Sequence, residues 1–500
     1  MRAGSRAALA LLTALFVVVV LRNAWIHDDA YITYRTVDNF INGYGLRWNP
    51  VERVQTYTHP LWMFVVAAAY AVTHEMFFTV IFTSVALSVA TILLVAFGVA
   101  SSVAAGGLAV LVLTCSKAFV DYSTSGLENP LTHVVFASFL LVYFRRDTSP
   151  GMLYLLATIA ALGAVNRIDT ALLFLPALIV VWRDVGLARG LPVVAAGFLP
   201  LLLWEAFSLF YYGFPFPNTA YAKLFDTGVG AGDRVMHGLY FLLNSARIDP
   251  LTLLTIGVAT AACIWSRDRR QLAVLGGIGA YLSYVVLIGG DFITGRFMAA
   301  PLLGAVALLS RWQPLSRGAL AVAAVVVIGV GLGSSASPLL STAAAGSEGK
   351  ELMDAHGIAD ERAYYYPHAG FLRALQHVSV SSHPWAVEGA EARRKHVPIA
   401  VRGDIGYFGF FAGPKVHIVD LWGLADPLIA RLPARTDVPW RVGHFTRVLP
   451  DGYLETLTSG QNKIADRNLA ATYDRLSLIT RGGLLDRNRL IEIWKINVGN

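Results

Sequence analysis

Long apolar runs, repeated along most of the chain, constrain this sequence more than any other feature. Twelve can be marked: 7–21, 60–73, 77–97, 99–115, 130–144, 152–165, 171–182, 191–211, 251–265, 272–289, 297–310 and 318–333. A membrane-spanning helix needs about 20 apolar residues, and stretches of this density are rare in water-soluble domains. The bulk numbers agree: the 500 residues are 55% hydrophobic and only 15% charged, with a mean hydropathy of +0.55. The chain reads as a polytopic α-helical membrane protein.

Charge fixes the sides. The formal net charge is +7. Residues 1–333 hold +5 of it, placed in short loops between apolar runs, as the positive-inside rule requires. Arg145-Arg146, Arg183 with Arg189, Arg267 with Arg269-Arg270, and Arg311 with Arg317 are predicted to be cytoplasmic. Alternation then places 166–170, 213–250, 290–296 and everything after 334 outside. Arg2 and Arg6, ahead of the first run, put the loop 23–59 outside too, and that run, which no small-residue cleavage site follows, reads as a retained anchor. Parity demands an even number of crossings between residue 59 and Lys117, where three runs were marked. The short run 60–73, opening on Pro60, is expected not to span, which leaves about eleven spans.

Residues 334–500 differ in kind. A Gly-, Ser- and Ala-rich stretch over 333–347 reads as a linker. The apolar patches beyond it, Val397–Val401, Val416–Val419 and Leu490–Trp494, are too short to span and are expected to be buried strands of a small outer α/β domain. The expected division is thus 1–333, a membrane domain with a first outer loop at 23–59, and 334–500, a soluble outer domain. Cys115 and Cys263 close apolar runs and are expected to pack inside helices. No basic tract resembles a nucleic-acid surface, so that partner is set aside.

The outer loops carry polar groups that a membrane boundary does not tolerate without partners or a cavity. Foremost is the acidic pair Asp28-Asp29, a few residues past the first apolar run. Adjacent like charges raise one pKa unless a cation or substrate compensates them. The other candidates are His59, Glu128 and Asn129, Arg167 beside Asp169, Asn218 with Lys223, and Asp291 with Arg296. Plain structural readings stand beside them. Arg167 and Asp169 can pair with each other, Glu128 ahead of Pro130 can open a helix, and Lys223 and Arg296 can be interfacial anchors. Two carboxylates are a thin ligand set for a divalent metal, which is a secondary reading, and no metal residue is assigned.

The ordered pieces resemble GT-C class glycosyltransferases. They are Asp28-Asp29-Ala30-Tyr31-Ile32, Gly43–Val54, Thr58-His59-Pro60-Leu61-Trp62, Ser125–Asn129, Pro217-Asn218-Thr219 with Lys223, Gly290-Asp291-Phe292 with Arg296, and Gly403–Tyr407 leading to Asp420–Leu424. The finer pattern is similar to bacterial terminal β-1,2-arabinofuranosyltransferases and related pilin-modifying enzymes, over at least residues 25–455, although relatives often carry Gly where Val51 stands. The resemblance implies transfer of a sugar, arabinofuranose first, from a polyprenyl-phosphate donor to a cell-envelope glycan or glycoprotein. The setting it implies is the outer face of a bacterial cytoplasmic membrane. Another lipid-linked sugar such as mannose is the alternative donor, and a transporter the alternative class. A carboxylate suits the acceptor's general base, with Asp28 chosen ahead of Asp29. Lys223 and Arg296 are expected at the donor phosphate, followed by Arg167 and His59. Glu128, Asn129, Asn218 and Asp291 are expected to hold sugar hydroxyls.

Overall fold

The computed structural model describes residues 3–145, 148–312, 316–340 and 352–499. Arg2, Arg146 and the linker segment 341–347 lie outside the described residues. The chain is predominantly helical and groups into two compact units, each woven from three separate segments.

The first unit comprises Met1–His27, Glu75–Leu201 and Ala231–Val378. Its helices follow the apolar runs closely. They include Ala3–Asn23, Phe77–Leu93, Val103–Cys115, Asn129–Tyr143, Pro150–Asn166, Ala171–Val185, Pro250–Ser266, Arg269–Leu287, Ala299–Ser310 and Arg317–Gly333. Polar residues set many of the starts by accepting orphan backbone N–H groups. Ser102 accepts from Ala105, Ser149 from Met152 ahead of Pro150, and Asp268 from Arg270 and Gln271. One continuous apolar core runs through the unit, with Phe16, Phe119, Phe136, Phe139, Phe174 and Leu302 fully buried. Small residues allow the helices to approach. A Cβ on Gly277 would stand 2.5 Å from the Leu173 carbonyl oxygen. Cys115 and Cys263 are both buried in helices, as expected.

The outward faces of these helices are apolar as well. Val325 is 70% exposed, with Leu11, Val18, Val322 and Trp265 in the same condition. A helix that is apolar on both its packed and its outer face suits lipid rather than water. Among the described residues, Phe77–Val99 and Arg269–Leu287 are each long and apolar enough to cross a membrane. Two helix pairs pass that test only when joined, and the pair Ala231–Ile248 and Pro250–Ser266 is bent by 106°. Seven further apolar helices have 10–17 residues. Helix length alone therefore does not yield the expected eleven spans.

The second unit comprises Asp28–His74, Leu202–Gly230 and Ser379–Asn500. Two short strands, β1 (Ile399–Arg402) and β2 (His417–Asp420), pair in parallel, with Ile399 opposite His417 and Arg402 opposite Asp420. The helix Gly406–Ala412 makes the crossover between them. Its neighbours are the helices Pro384–Arg394 and Asp28–Ile41. From the latter, the buried Arg35 lies over Trp48 at 4.5 Å and donates to the carbonyls of Trp48 and Val416 at 2.9 Å, and to that of Gly409. One core gathers Trp48, Ile405, Phe408 and Ile418; another gathers Phe214, Leu428, Ile429, Leu476, Ile479 and Ile493.

Two of the three expected strands are thus present, and the third is corrected. Leu490–Trp494 lies in the helix Arg487–Val498, which Asp486 opens by accepting from Asn488 and Arg489. Arg489, Ile493 and Asn497 share the inward face at helical spacing, and Trp494 is 67% exposed. The compact units also cut the chain differently from a single boundary at residue 333. Residues 352–378 group with the first unit, and 28–74 and 202–230 group with 379–500.

Candidate active site

The acidic pair opens the helix Asp28–Ile41, where carboxylates are favoured by the backbone dipole. Asp28 is 5% exposed. Its Oδ1 accepts the Tyr407 N–H at 2.6 Å and its Oδ2 the Gly406 N–H at 3.2 Å. Only glycine fits at 406, since a Cβ there would stand 2.0 Å from the Asp28 carbonyl oxygen. Burial pushes the Asp28 carboxyl well above the usual range; the Tyr407 N–H opposes this, and the charges of Asp29 and Asp404 add to it. Asp29, next to it, is half-buried.

Other charged groups of the second unit surround the pair. Burial, followed by the charge of Asp29, raises the Asp404 carboxyl to about 6, against Arg402 and Arg441. Burial and then Arg441 lower the His444 imidazole to about 3; Lys223 acts in the same sense and Asp29 in the opposite one. Asp29 therefore lies within electrostatic reach of Asp404 and His444, and Lys223 within reach of His444. The His444 ring stands edge-on to Trp422 at 4.3 Å. Asp404, Arg441 and His444 were not singled out as site residues in the sequence. The motif Gly403–Tyr407 was the available signal for Asp404. Nothing in local spacing marks Arg441 or His444, some 400 residues from the pair.

Asn218 and His59 are occupied locally. The Asn218 amide donates to the carbonyls of Gly423, Leu424 and Asp426 at 2.8, 3.3 and 3.0 Å, and its oxygen accepts from Arg431 at 3.0 Å. It anchors the helix Asn218–Leu224 and so fixes the backbone that carries Lys223. His59 Nε2 lies 2.8 Å from Thr33 Oγ1, and its Nδ1 3.3 Å from Thr58 Oγ1.

The first unit builds a charged cluster of its own. Glu128, 1% exposed, sits at the start of the helix Asn129–Tyr143. Its Oε1 accepts from Arg167 at 2.7 Å, and both oxygens accept from Arg296 Nη2 at 3.1 and 3.3 Å. Arg167 also donates to both oxygens of Asp169, at 2.8 and 2.9 Å, which realises the pairing open to that loop. Although burial works against its charge, Asp169 and Glu128 hold the Arg167 guanidinium above its ordinary pKa. Arg296 stands 3.8 Å from Asp291, and its carbonyl accepts from Asn129 at 3.4 Å. Both guanidinium groups lie over the Phe297 ring, at 4.7 and 5.7 Å. Glu128, Asp169 and Asp291 thus surround the two guanidinium groups and fix their orientation. Among the described residues no group of three or more His, Cys, Asp or Glu side chains is arranged to hold a metal ion.

No protein-family model matches the chain. It is 25% identical to the terminal β-(1→2)-arabinofuranosyltransferase of Mycobacterium tuberculosis, over 85% of this chain and 81% of that one. To the protein of the same name from Corynebacterium glutamicum it is 27% identical, over 56% of this chain but only 46% of the relative. In fold it is similar to ArnT from Cupriavidus metallidurans in the apo state, with a TM-score of 0.50 and 16% identity over 84% of this chain and 86% of that one. The Archaeoglobus fulgidus oligosaccharyltransferase matches with a TM-score of 0.50 and 12% identity, over 83% of this chain and 62% of that one. These similarities support a glycosyltransferase built on a helical fold similar to those of ArnT and the oligosaccharyltransferase.

Proposed function

We propose that this glycosyltransferase moves arabinofuranose from a polyprenyl-phosphate donor to a glycan or glycoprotein of the cell envelope. In this reading it works at the outer face of a bacterial cytoplasmic membrane that it crosses about eleven times, with residues 334–500 outside. The bond from the sugar's anomeric carbon to the donor phosphate breaks. A bond from that carbon to the acceptor oxygen forms, and polyprenyl phosphate leaves. The hydroxyl proton needs a carboxylate within hydrogen-bond reach.

The observation that carries this reading is the unequal environment of the acidic pair. Asp28 has its oxygens engaged by two backbone N–H groups of the helix Gly406–Ala412, whereas Asp29 is half-buried within electrostatic reach of Asp404 and His444. This arrangement favours Asp29 as the base, with Asp28 positioning it, over the order of choice made from sequence. Lys223, Arg167 and Arg296 are the candidates for phosphate, with Glu128 orienting the two arginines rather than holding a sugar hydroxyl.

The test is transfer from a radiolabelled polyprenyl-phosphate arabinofuranose by purified protein. Asp29→Asn is expected to lower the rate about 100-fold or more with donor binding kept. Asp28→Asn is expected to lower both rate and melting temperature. Near-normal rates in both variants would end the proposal. Faster transfer from a mannose-bearing donor would keep the acid–base assignment and change the sugar.

A further inference from the structure

The helix Arg487–Val498, last in the second unit, is apolar on two sides. Ile493 packs inward with Phe214 and Ile479, beside the buried Arg489. On the opposite side Leu490, Ile491, Trp494 and Val498 are all exposed, Trp494 by 67% and Val498 by 60%. At helical spacing these side chains fall within one sector about 100° wide. Arg487, at the start of the helix, and Lys495, along one border of the sector, are exposed as well. On the far flank Glu492 pairs with Arg475. Scattered apolar side chains on a surface need no explanation, but the outer face of a helix in water is ordinarily polar.

The neighbours of this helix identify what covers the stripe. In its first turn, Arg489 Nη2 donates to the carbonyls of Phe210 and Tyr211, at 2.9 Å each. In its last turn, Asn497 donates to the Gly213 carbonyl at 2.8 Å. A Cβ on Gly213 would stand 2.2 Å from Ile479 and 3.2 Å from Ile493, so glycine lets the segments close on each other. Both ends of the helix are thus fastened to residues 210–213, where the apolar run 191–211 stops. From Leu202 onward that run belongs to the same unit as the helix. Leu202, Leu203, Leu209 and Phe210 are exposed on it, as suits side chains that face lipid. Phe210 is at once a lipid-suited residue of the run and an anchor point of the helix. The stripe therefore begins where the apolar surface of the run ends. With 12 residues the helix is too short to cross a bilayer itself.

We infer that Arg487–Val498 lies in the membrane–water interface as a non-spanning helix, with Leu490, Ile491, Trp494 and Val498 among acyl chains and Arg487 and Lys495 at lipid phosphates. An apolar face bordered by basic residues is how amphipathic helices hold a bilayer surface, and tryptophan favours that depth. The occupant is the bilayer itself. This differs from the wholly soluble outer domain expected from sequence, because the last helix of the chain gains a lipid contact of its own. The inference rests on reading 191–211 as a membrane crossing and not on the identity of the transferred sugar.

The test uses the full-length protein, lacking Cys115 and Cys263, in vesicles of phosphatidylcholine and phosphatidylglycerol. Leu490→Cys, Ile491→Cys, Trp494→Cys and Val498→Cys each carry a nitroxide label, one at a time. Relaxation of the label by oxygen, which concentrates in lipid, is compared with relaxation by a water-soluble nickel chelate. Leu203→Cys on the apolar run and the exposed Thr458→Cys serve as lipid and water references. The expected result is that oxygen dominates at all four positions, at a depth of about 5–10 Å, and nickel at Asn488→Cys. All four positions are exposed, so a variant that fails to fold leaves three to read. Nickel access equal to that of Thr458→Cys overturns the inference alone if Leu203→Cys reports lipid. If Leu203→Cys reports water too, the membrane reading of the run falls and the inference with it. Shielding from both reagents also overturns it, and spin–spin broadening relieved by unlabelled protein assigns the face to a second copy instead. Loss of transfer by Asp29→Asn moves none of these readings, so the two proposals fail separately.

Discussion

Glu128 is the residue on which the charge balance of the first unit turns. One carboxylate, sealed from water, accepts from both Arg167 and Arg296. Removing one member of a buried ionic group leaves the others desolvated and unpaired, at a typical cost of about 3–5 kcal/mol. Glu128→Gln keeps the shape and one acceptor oxygen but lacks the charge. It is expected to lose stability at the low end of that range, because Arg167 keeps Asp169 and Arg296 keeps Asp291. Thermal unfolding in detergent checks this, and an unchanged melting temperature would show that the arginines do not depend on Glu128. Arg167→Lys is a harsher change than its charge suggests, since an ammonium cannot reproduce the paired bonds to Asp169 together with the bond to Glu128.

At the scale of elements, the apolar runs were readable nearly to the residue. The run 60–73 is the helix Pro60–Thr73, and 130–144 is the helix Asn129–Tyr143. The run 191–211 is cut at Phe198 into the helices Leu187–Gly197 and Leu199–Tyr211, with Pro192 inside the first. Leu490–Trp494 was misread because five residues of mixed apolar pattern fit a buried strand and one face of a helix equally well. The deciding signal stood just upstream in Asp486, a strong helix-starting residue. Asp486→Ala should accordingly lower stability by about 1 kcal/mol, with urea unfolding as the measure. No effect would mean that packing of Arg489 and Ile493 alone holds this helix. The acidic pair was legible for the converse reason, since two adjacent carboxylates beside a membrane run need no tertiary information to stand out. Asp404 and His444 did not stand out, because their relevance comes only from folding next to Asp29.

At the scale of the whole molecule, the arrangement across the membrane is testable by single cysteines in a background lacking Cys115 and Cys263. Asn42→Cys and Thr458→Cys lie on exposed positions of the second unit and should react with an impermeant thiol reagent in intact cells. Gly452, in a neighbouring turn, is unsuitable because a Cβ there would stand 1.9 Å from the Lys463 carbonyl oxygen. Gly151→Cys, exposed in the first turn of the helix Pro150–Asn166 and predicted to be on the cytoplasmic side, should stay unlabelled until the membrane is opened. Labelling of Gly151→Cys without Thr458→Cys would invert the map. The interleaving of each unit along the chain also sets a timetable. The backbone N–H groups that receive Asp28 are encoded 378 residues later, so at about 5–20 residues per second the ribosome needs roughly 20 to 75 seconds to supply them. Through that interval the segment that follows the first apolar run remains unfinished and carries two acids without those N–H partners. Its protection from proteases or chaperones during synthesis is then a requirement of the fold itself.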